Sequence, residues 1–433
     1  MFKEKEPIFA LATPKGKSAI GVFRISGKNS HKIIKKISSQ KRWKTNETKT
    51  NFIFDEKKQK IDQTLTTFFK LPNTYTGENM VEVSCHGGLA VINKISETLV
   101  KSGLRQAEPG EFTKRSLQND KLDITQAEGI SDLVNAETDK QRVLALKNLE
   151  GSLSLFSKDL SRKMMKMLAD VEALIDFSDE DLPNNIYLKI KEQNRNILML
   201  IKKNLSKSKL AKPIRDGFLV SIIGKTNTGK SSFINYISDR DVSIVTNIHG
   251  TTTDSLEVPL EINGYKFRFV DTAGIRKPRG PIEKIGIEKT KKIGALSDLS
   301  LIFLNNCEKS QYKEINKKIF VRSKQDIRKK KICDSGVFEI SSKTGYGIKK
   351  LIQSIKYKLI GFGDTNTPIF SRERHFEKMK KCLNKLESIN FNNSVDIIAE
   401  DIRLALKENE EIYQKFDIEK ILDIIFDDFC IGK

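Results

Sequence analysis

The sequence predicts a multidomain α/β chain: an α+β N-terminal domain, then an all-α helical domain interrupted by an inserted phosphate-loop nucleotide domain. Three observations carry that expectation. Between Gly224 and Ser231 the chain reads Gly-Lys-Thr-Asn-Thr-Gly-Lys-Ser, a complete G-x-x-x-x-G-K-S loop, between the apolar run Phe218-Leu-Val-Ser-Ile-Ile223 and a helix-compatible stretch from Ser232. Residues 1–118 mix short β-rich runs with turn signals. Helical periodicity occupies the chain on both sides of the nucleotide module.

Taken in order, Ala19-Ile-Gly-Val-Phe-Arg-Ile25 and Met80-Val-Glu-Val83 read as strands and the stretch from Ala90 as a helix, giving an α+β domain over 1–118. Over 119–214 the pattern turns helical. Met164, Met167, Leu168, Val171 and Leu174 recur at three- and four-residue spacing, a stripe that reads as core. A Lys-rich stretch ending at Lys212-Pro213 leads into the nucleotide domain, 215–361, whose last amphipathic helix carries Leu351, Ile355 and Leu359. Ile398, Ile402, Ala405 and Leu406 then restore the helical period in 362–433.

Composition narrows the function classes. The 433 residues suffice for about three domains, each able to bury a core. A net charge of +21 suggests a polyanionic partner such as RNA, although the wealth of Lys, Asn and Ile reads equally as compositional bias. Five cysteines (85, 307, 333, 382 and 430) show no Cys-x-x-Cys pair and no zinc spacing, which fits a reducing cytoplasm. The start, Met1-Phe-Lys-Glu-Lys-Glu6, is no signal peptide, and no segment approaches the roughly 18 apolar residues of a membrane span.

A phosphate loop works between a buried strand and a helix N-terminus, where backbone N–H groups and the helix dipole face the phosphates. Lys230 then reaches the β/γ oxygens and Ser231 ligates Mg²⁺. Downstream, Gly250-Thr-Thr252 brings a second hydroxyl, Thr252, toward Mg²⁺ as a switch. Asp271-Thr-Ala-Gly274 follows the strand-like Tyr265-Lys-Phe-Arg-Phe-Val270, and its Gly lets a backbone N–H approach the γ-phosphate. Ser323-Lys-Gln-Asp326 reads the base: Asp326 accepts from guanine N1–H and N2–H₂, and Lys324 lays its stem along the purine. Ser341-Ser-Lys343 offers a backbone N–H to guanine O6. The nucleotide is therefore GTP. The position that in many GTPases holds a water-orienting Gln is Ile275, so the attacking water must be oriented by another group.

Outside the nucleotide module stand Ala12-Thr-Pro14 with Gly21-Val-Phe-Arg-Ile-Ser26, Tyr75-Thr-Gly-Glu78 through Glu82, His86-Gly-Gly88 and Pro109-Gly-Glu-Phe112. Asn119-Asp-Lys-Leu-Asp123, Gln126-Ala-Glu128 and the terminal Cys430-Ile-Gly-Lys433 follow. These collinear blocks, from residue 12 to 433, resemble the MnmE (TrmE) family of tRNA-modifying GTPases. The resemblance implies an α+β folate-binding domain that dimerises, a helical domain and an inserted Ras-like P-loop GTPase domain. It also implies a homodimer that joins the FAD-dependent protein MnmG (GidA) in a heterotetramer. Together they would add an aminomethyl or carboxymethylaminomethyl group at C5 of the wobble uridine, U34, of certain tRNAs. The one-carbon unit would come from 5,10-methylene- or 5-formyl-tetrahydrofolate and the nitrogen from glycine or ammonium. An Era/Der-like ribosome-associated GTPase is the alternative; such proteins share the GTPase module but lack the blocks over 12–128 and the Cys-Ile-Gly-Lys end.

Residue by residue, the resemblance carries folate contacts to Arg24, Glu82, Lys121 and Lys433. It makes Glu283, in Pro281-Ile-Glu-Lys-Ile-Gly-Ile-Glu288, the catalytic residue that orients water. A K⁺ ion stands where other GTPases use an arginine finger, held by Asn227, Thr246, Ile248 and Thr251. GTP contacts extend over Asn227, Thr228, Gly229, Lys230, Ser231 and Ser232, and over Thr246, Asn247, Ile248, His249, Gly250, Thr251 and Thr252. They continue with Asp271, Thr272, Ala273, Gly274, Ser323, Lys324, Asp326, Ser341, Ser342 and Lys343. Cys430 stays open between a chemical role and folate-proximal packing. The chain departs from the family at Thr253 (an Arg), Ser323 (an Asn), Thr226 (a Pro) and a short segment between Cys307 and Phe320. The Cys-Ile-Gly-Lys end suggests a docked terminus, with Lys433 returning to Arg24, Glu82 and Lys121.

Overall fold

The structure is a computed structural model that describes residues 6–176, 186–239, 257–271, 296–305, 309–327, 336–361, 368–414 and Gly432. Its contacts divide into two compact units, one of residues 1–131, 148–162 and 406–433, the other of 132–147 and 163–405.

The first unit is built on a six-stranded sheet. Its strands are β1 (Ile8–Leu11), β2 (Ile20–Ser26), β3 (Thr48–Phe54), β4 (Lys60–Phe69), β5 (Met80–His86) and β6 (Arg105–Gln106), in the order β3-β4-β5-β2-β1-β6. Successive side chains in a strand point to opposite faces, and the sequence uses both. Phe9, Phe23, Ile25, Val81 and Val83 pack on one face with Ile34 of helix α1 (Ser30–Ile37) and Ile92, Ile95 and Leu99 of α2 (Leu89–Lys101). Ile8, Ala10 and Met80 point the other way and meet Phe112 of α3 (Glu111–Gln118). On β2 and β5, Arg24 lies directly opposite Glu82. Helix α4 (Ile124–Val134) opens with a reciprocal cap: Asp123 Oδ1 accepts from Gln126 N at 3.0 Å, and Gln126 Oε1 accepts from Asp123 N at 3.1 Å.

The second unit holds the nucleotide domain. Strands β7 (Phe218–Gly224), β8 (Glu257–Ile262), β9 (Tyr265–Asp271), β10 (Leu299–Phe303), β11 (Lys318–Arg322) and β12 (Val337–Glu339) form a sheet in the order β12-β11-β10-β7-β9-β8. All pairs are parallel except β8–β9, a hairpin closed by Asn263 (φ 53°) and Gly264 (φ 82°), the positive angles a two-residue turn needs. The central strands β7 and β10 are apolar and buried almost throughout, as parallel strands covered on both faces are. Val220, Ile222, Leu301 and Val321 pack with Phe233 and Ile237 of α9 (Lys230–Asp239) and Leu351 and Ile355 of α10 (Ile348–Ile360).

The remaining helices are α5 (Asp139–Leu149), α6 (Ser152–Asp176), α7 (Ile186–Lys207), α8 (Ala211–Asp216), α11 (Glu373–Glu387) and α12 (Val395–Glu410). The stripe read from periodicity is core: Met164, Met167 and Val171 of α6 are buried, as are Ile398, Ile402 and Ala405 of α12. Helix α7 buries Ile190, Asn194, Ile197 and Ile201 along one face, and Asn194 Nδ2 donates to Leu386 O of α11 at 3.1 Å. No helix among the described residues is long and apolar enough to cross a membrane.

Candidate nucleotide site and a second polar site

The loop after β7 is shaped by residues that tolerate its backbone. Asn227 (φ 60°) and Gly229 (φ 88°) take left-handed angles, and a Cβ on Gly224 would stand 2.6 Å from Phe303 O. The buried Lys230 ammonium donates to Gly224 O at 2.8 Å and Lys225 O at 2.6 Å, so the loop folds around a cation. Ser231 and Ser232 are exposed in the first turn of α9, and Thr228 Oγ1 donates to Lys225 O at 2.8 Å. Asp271, buried at the end of β9, stands opposite Ile222 of β7 and thus beside the loop. This is a cradle of N–H groups with hard oxygen donors, Ser231 and Asp271, at its edge. Such donors fit Mg²⁺, which prefers oxygen ligands shared with phosphate.

The end of β11 ties directly to this loop. Ser323 Oγ donates to Thr228 O at 2.5 Å, and Lys324, itself at φ 63°, donates through Nζ to Asn227 O at 2.9 Å. Any side chain at position 229 would run into Ser323, 2.4 Å from its Oγ. The Ser323 hydroxyl is thus already committed to the phosphate loop, which its identity alone did not reveal. Asp326 Oδ1 accepts from Ser341 Oγ at 2.7 Å, and that bond holds the carboxyl below the usual carboxylate range. Ser341 N donates to Tyr346 O at 3.0 Å and Gly345 N to Ser341 O at 2.8 Å, so the segment carrying Ser342 and Lys343 is a tight turn. Gly345 is required there, because a Cβ would stand 2.2 Å from the Tyr236 hydroxyl of α9.

The structure thus brings together Asn227 to Ser232, Asp271, Ser323, Lys324, Asp326 and Ser341 to Lys343. Thr246, Asn247, Ile248, His249, Gly250, Thr251, Thr252, Thr272, Ala273, Gly274, Glu283, Cys430 and Lys433 lie outside the described residues.

The second polar site is in the first unit. Arg24 Nε donates to Glu82 Oε1 at 3.0 Å and Nη2 contacts the same oxygen at 3.0 Å, while the guanidinium carbon lies 5.5 Å from the Tyr75 ring centroid. Its Nη1 donates to Gly432 O at 3.3 Å. Gly77 (φ 74°) lets the loop pass Lys121, whose Cε would stand 3.3 Å from a Cβ there. Sequence reasoning missed the support beneath this loop. Glu78 Oε2 accepts from Ser26 Oγ at 2.7 Å and from Arg115 Nη1 at 3.0 Å; Arg115 Nη2 also donates to Glu111 Oε1 at 2.9 Å. The available signal was an Arg on a helix face otherwise filled by Phe112, Thr113, Ser116 and Leu117. Cys85, by contrast, is inert: burial, aided by the Asp62 charge, pushes its thiol up to about 11.

Comparison with known proteins places both sites in one lineage. Residues 7–121 match the model of the GTP-binding protein TrmE N-terminus, and residues 124–430 that of the MnmE helical domain. The tRNA modification GTPase MnmE of Aquifex aeolicus (strain VF5) is 36% identical over 447 residues, covering 99% of this chain and 100% of its own length. That of Pelagibacter ubique (strain HTCC1062) is 39% identical over 444 residues, covering 98% and 100%. Similarity of this extent, spanning a phosphate loop tied to the end of β11 and the Arg24–Glu82 corner, shows that the chain belongs to the MnmE family of tRNA modification GTPases.

Proposed function

We propose that this protein is a K⁺-dependent GTPase whose hydrolysis cycle drives modification of the tRNA wobble uridine, U34, in a folate-dependent reaction shared with the flavoprotein MnmG. In this reading 1–118 bind folate and dimerise, 215–361 hydrolyse GTP, and 119–214 with 362–433 form the helical domain. The observation that carries the GTPase half is the junction of Ser323 and Lys324 with the backbone of Thr228 and Asn227, which joins base reading to phosphate binding in one rigid unit. Lys230 moves from loop carbonyls to the β/γ-phosphate oxygens, and Ser231 and Thr252 hold Mg²⁺. Asp326 accepts from guanine, and Glu283 orients the water that Ile275 cannot. Asn227, Thr246, Ile248 and Thr251 hold K⁺, which supplies positive charge against the transition state where others use a guanidinium.

For the folate half, both Arg24 contacts fall on Glu82 Oε1, so the second carboxylate oxygen takes no hydrogen bond from the described residues. It suits the amide and amine edge of a pterin. Lys121 and Lys433 provide cations for the anionic part. The Gly432 carbonyl on Arg24 supports a C-terminus that serves this site.

The test is GTP turnover of the full chain in K⁺ and in Na⁺. We expect K⁺ to raise it by more than about tenfold, as replacing an electrostatic stabiliser of the transition state should. Asn227→Ala should erase the difference while GDP binding persists. Equal rates in the two salts would remove K⁺ from the mechanism.

A further inference from the structure

We propose that a cavity beside Lys121 takes the γ-linked polyglutamate tail of the folate, with Lys158 of α6 as its second cation; the proposal rests on the folate reading of the Arg24–Glu82 corner. The cavity measures about 550 Å³, within the roughly 300–1,000 Å³ range of small-ligand sites and larger than one carboxylate needs. Lys121 and Lys158 both line it. Lys121 also reaches the loop at Gly77 that presents Tyr75 to Arg24, so the corner and the cavity share this side chain.

The lining balances in formal charge, Lys121 and Lys158 against Asp120 and Asp123, but the pairing of these groups leaves the two ammonium groups open to an anion. Neither Lys121 nor Lys158 has a carboxylate partner among the described residues; Lys158 Nζ instead lies 5.6 Å over the Tyr413 ring, which holds the ammonium on the cavity wall. Of the two acids that line the cavity, Asp123 is already engaged by Thr125 Oγ1 at 2.7 Å, Gln126 N at 3.0 Å and Ser154 Oγ at 2.5 Å. Asp120 is the other. A single glutamate suffices to meet Lys121. Each further γ-linked residue adds one carboxylate, and Lys158 is the next cation along the wall.

The experiment is equilibrium binding of 5-formyltetrahydrofolate, as monoglutamate and as triglutamate, to the full-length protein. The triglutamate should bind about threefold to tenfold more tightly, the gain of one or two partly exposed ion pairs. Lys158→Ala should remove that preference with monoglutamate affinity unchanged, and Lys158→Arg should keep it. Equal affinity of the wild type for the two ligands would overturn the proposal and leave the folate reading standing. If neither ligand bound, both would fall. A Lys158→Ala protein that lost tRNA affinity but kept the polyglutamate preference would assign the cavity to nucleic acid and refute the proposal.

Discussion

Ser323 shows what one substitution in a motif does. An amide at this position has two arms, one for the phosphate loop and one for guanine N7; a hydroxyl has reach for only one. Here it donates to Thr228 O at 2.5 Å, so its one proton is committed to the loop. Restoring the amide with Ser323→Asn should tighten GDP binding about fivefold, the value of one neutral hydrogen bond. Binding of 7-deaza-GDP, which lacks the acceptor, should not change; an equal gain for both nucleotides would show that Asn acts on the loop instead. In the proposed function guanine selection would then fall mainly on Asp326, whose carboxylate Ser341 already orients. For Glu283 the expected signature is kinetic. A residue that acts on the water and not on the bound nucleotide contributes only in the transition state, so Glu283→Ala should lower turnover by about 10²-fold with GTP affinity nearly constant. A parallel loss of affinity would mark it as structural.

Between elements, the ion network that joins β2, the loop at Glu78 and α3 is the support on which Arg24 and Lys121 depend. Arg115 is buried, so its charge is tolerable only with Glu78 and Glu111 around it. Burial alone would raise the Glu111 carboxyl, but Arg105, the Glu108 amide and Arg115 outweigh it and hold the group below its ordinary 4.5. A depressed carboxylate stabilises the fold above the unfolded pKa and loses that contribution as pH falls through the folded one. Glu111→Gln should therefore destabilise the protein by about 1–2 kcal/mol near pH 7, the worth of a charged hydrogen bond. The gap to wild type should close as pH drops below about 4.5, read from urea unfolding curves at each pH; a gap that stayed constant would mean that the effect is packing. None of this network was legible beforehand, because Ser26, Glu78 and Arg115 are distant in the chain and each reads alone as a solvated polar group. The phosphate loop, by contrast, was legible in full: its glycines, lysine and flanking apolar strand are contiguous, and their chemistry is local. The helical stripe of Met164, Met167 and Val171 was legible for the same reason.

At the level of the assembled chain, the two sites are built on different sheets and answer to different chemistry. In the proposed function, GTP hydrolysis acts on the modification through a conformational change, with no phosphoryl transfer to tRNA. Gly432 lies at the Arg24–Glu82 corner of the first unit. Gly432, at φ 109°, comes so near β1 that a Cβ would stand 2.8 Å from Ala12 Cα, and its carbonyl accepts from Arg24. Removing residues 430–433 should leave K⁺-stimulated GTP hydrolysis largely intact and stop tRNA modification, whereas Lys230→Ala should stop both. Mass spectrometry of tRNA nucleosides from a strain lacking this gene, complemented with the full chain or with either variant, decides the matter. The carboxymethylaminomethyl or aminomethyl uridine should vanish on deletion and return with the full chain alone. Its persistence in the deletion strain, or its return with the Lys230→Ala protein, would contradict a GTPase-driven modification.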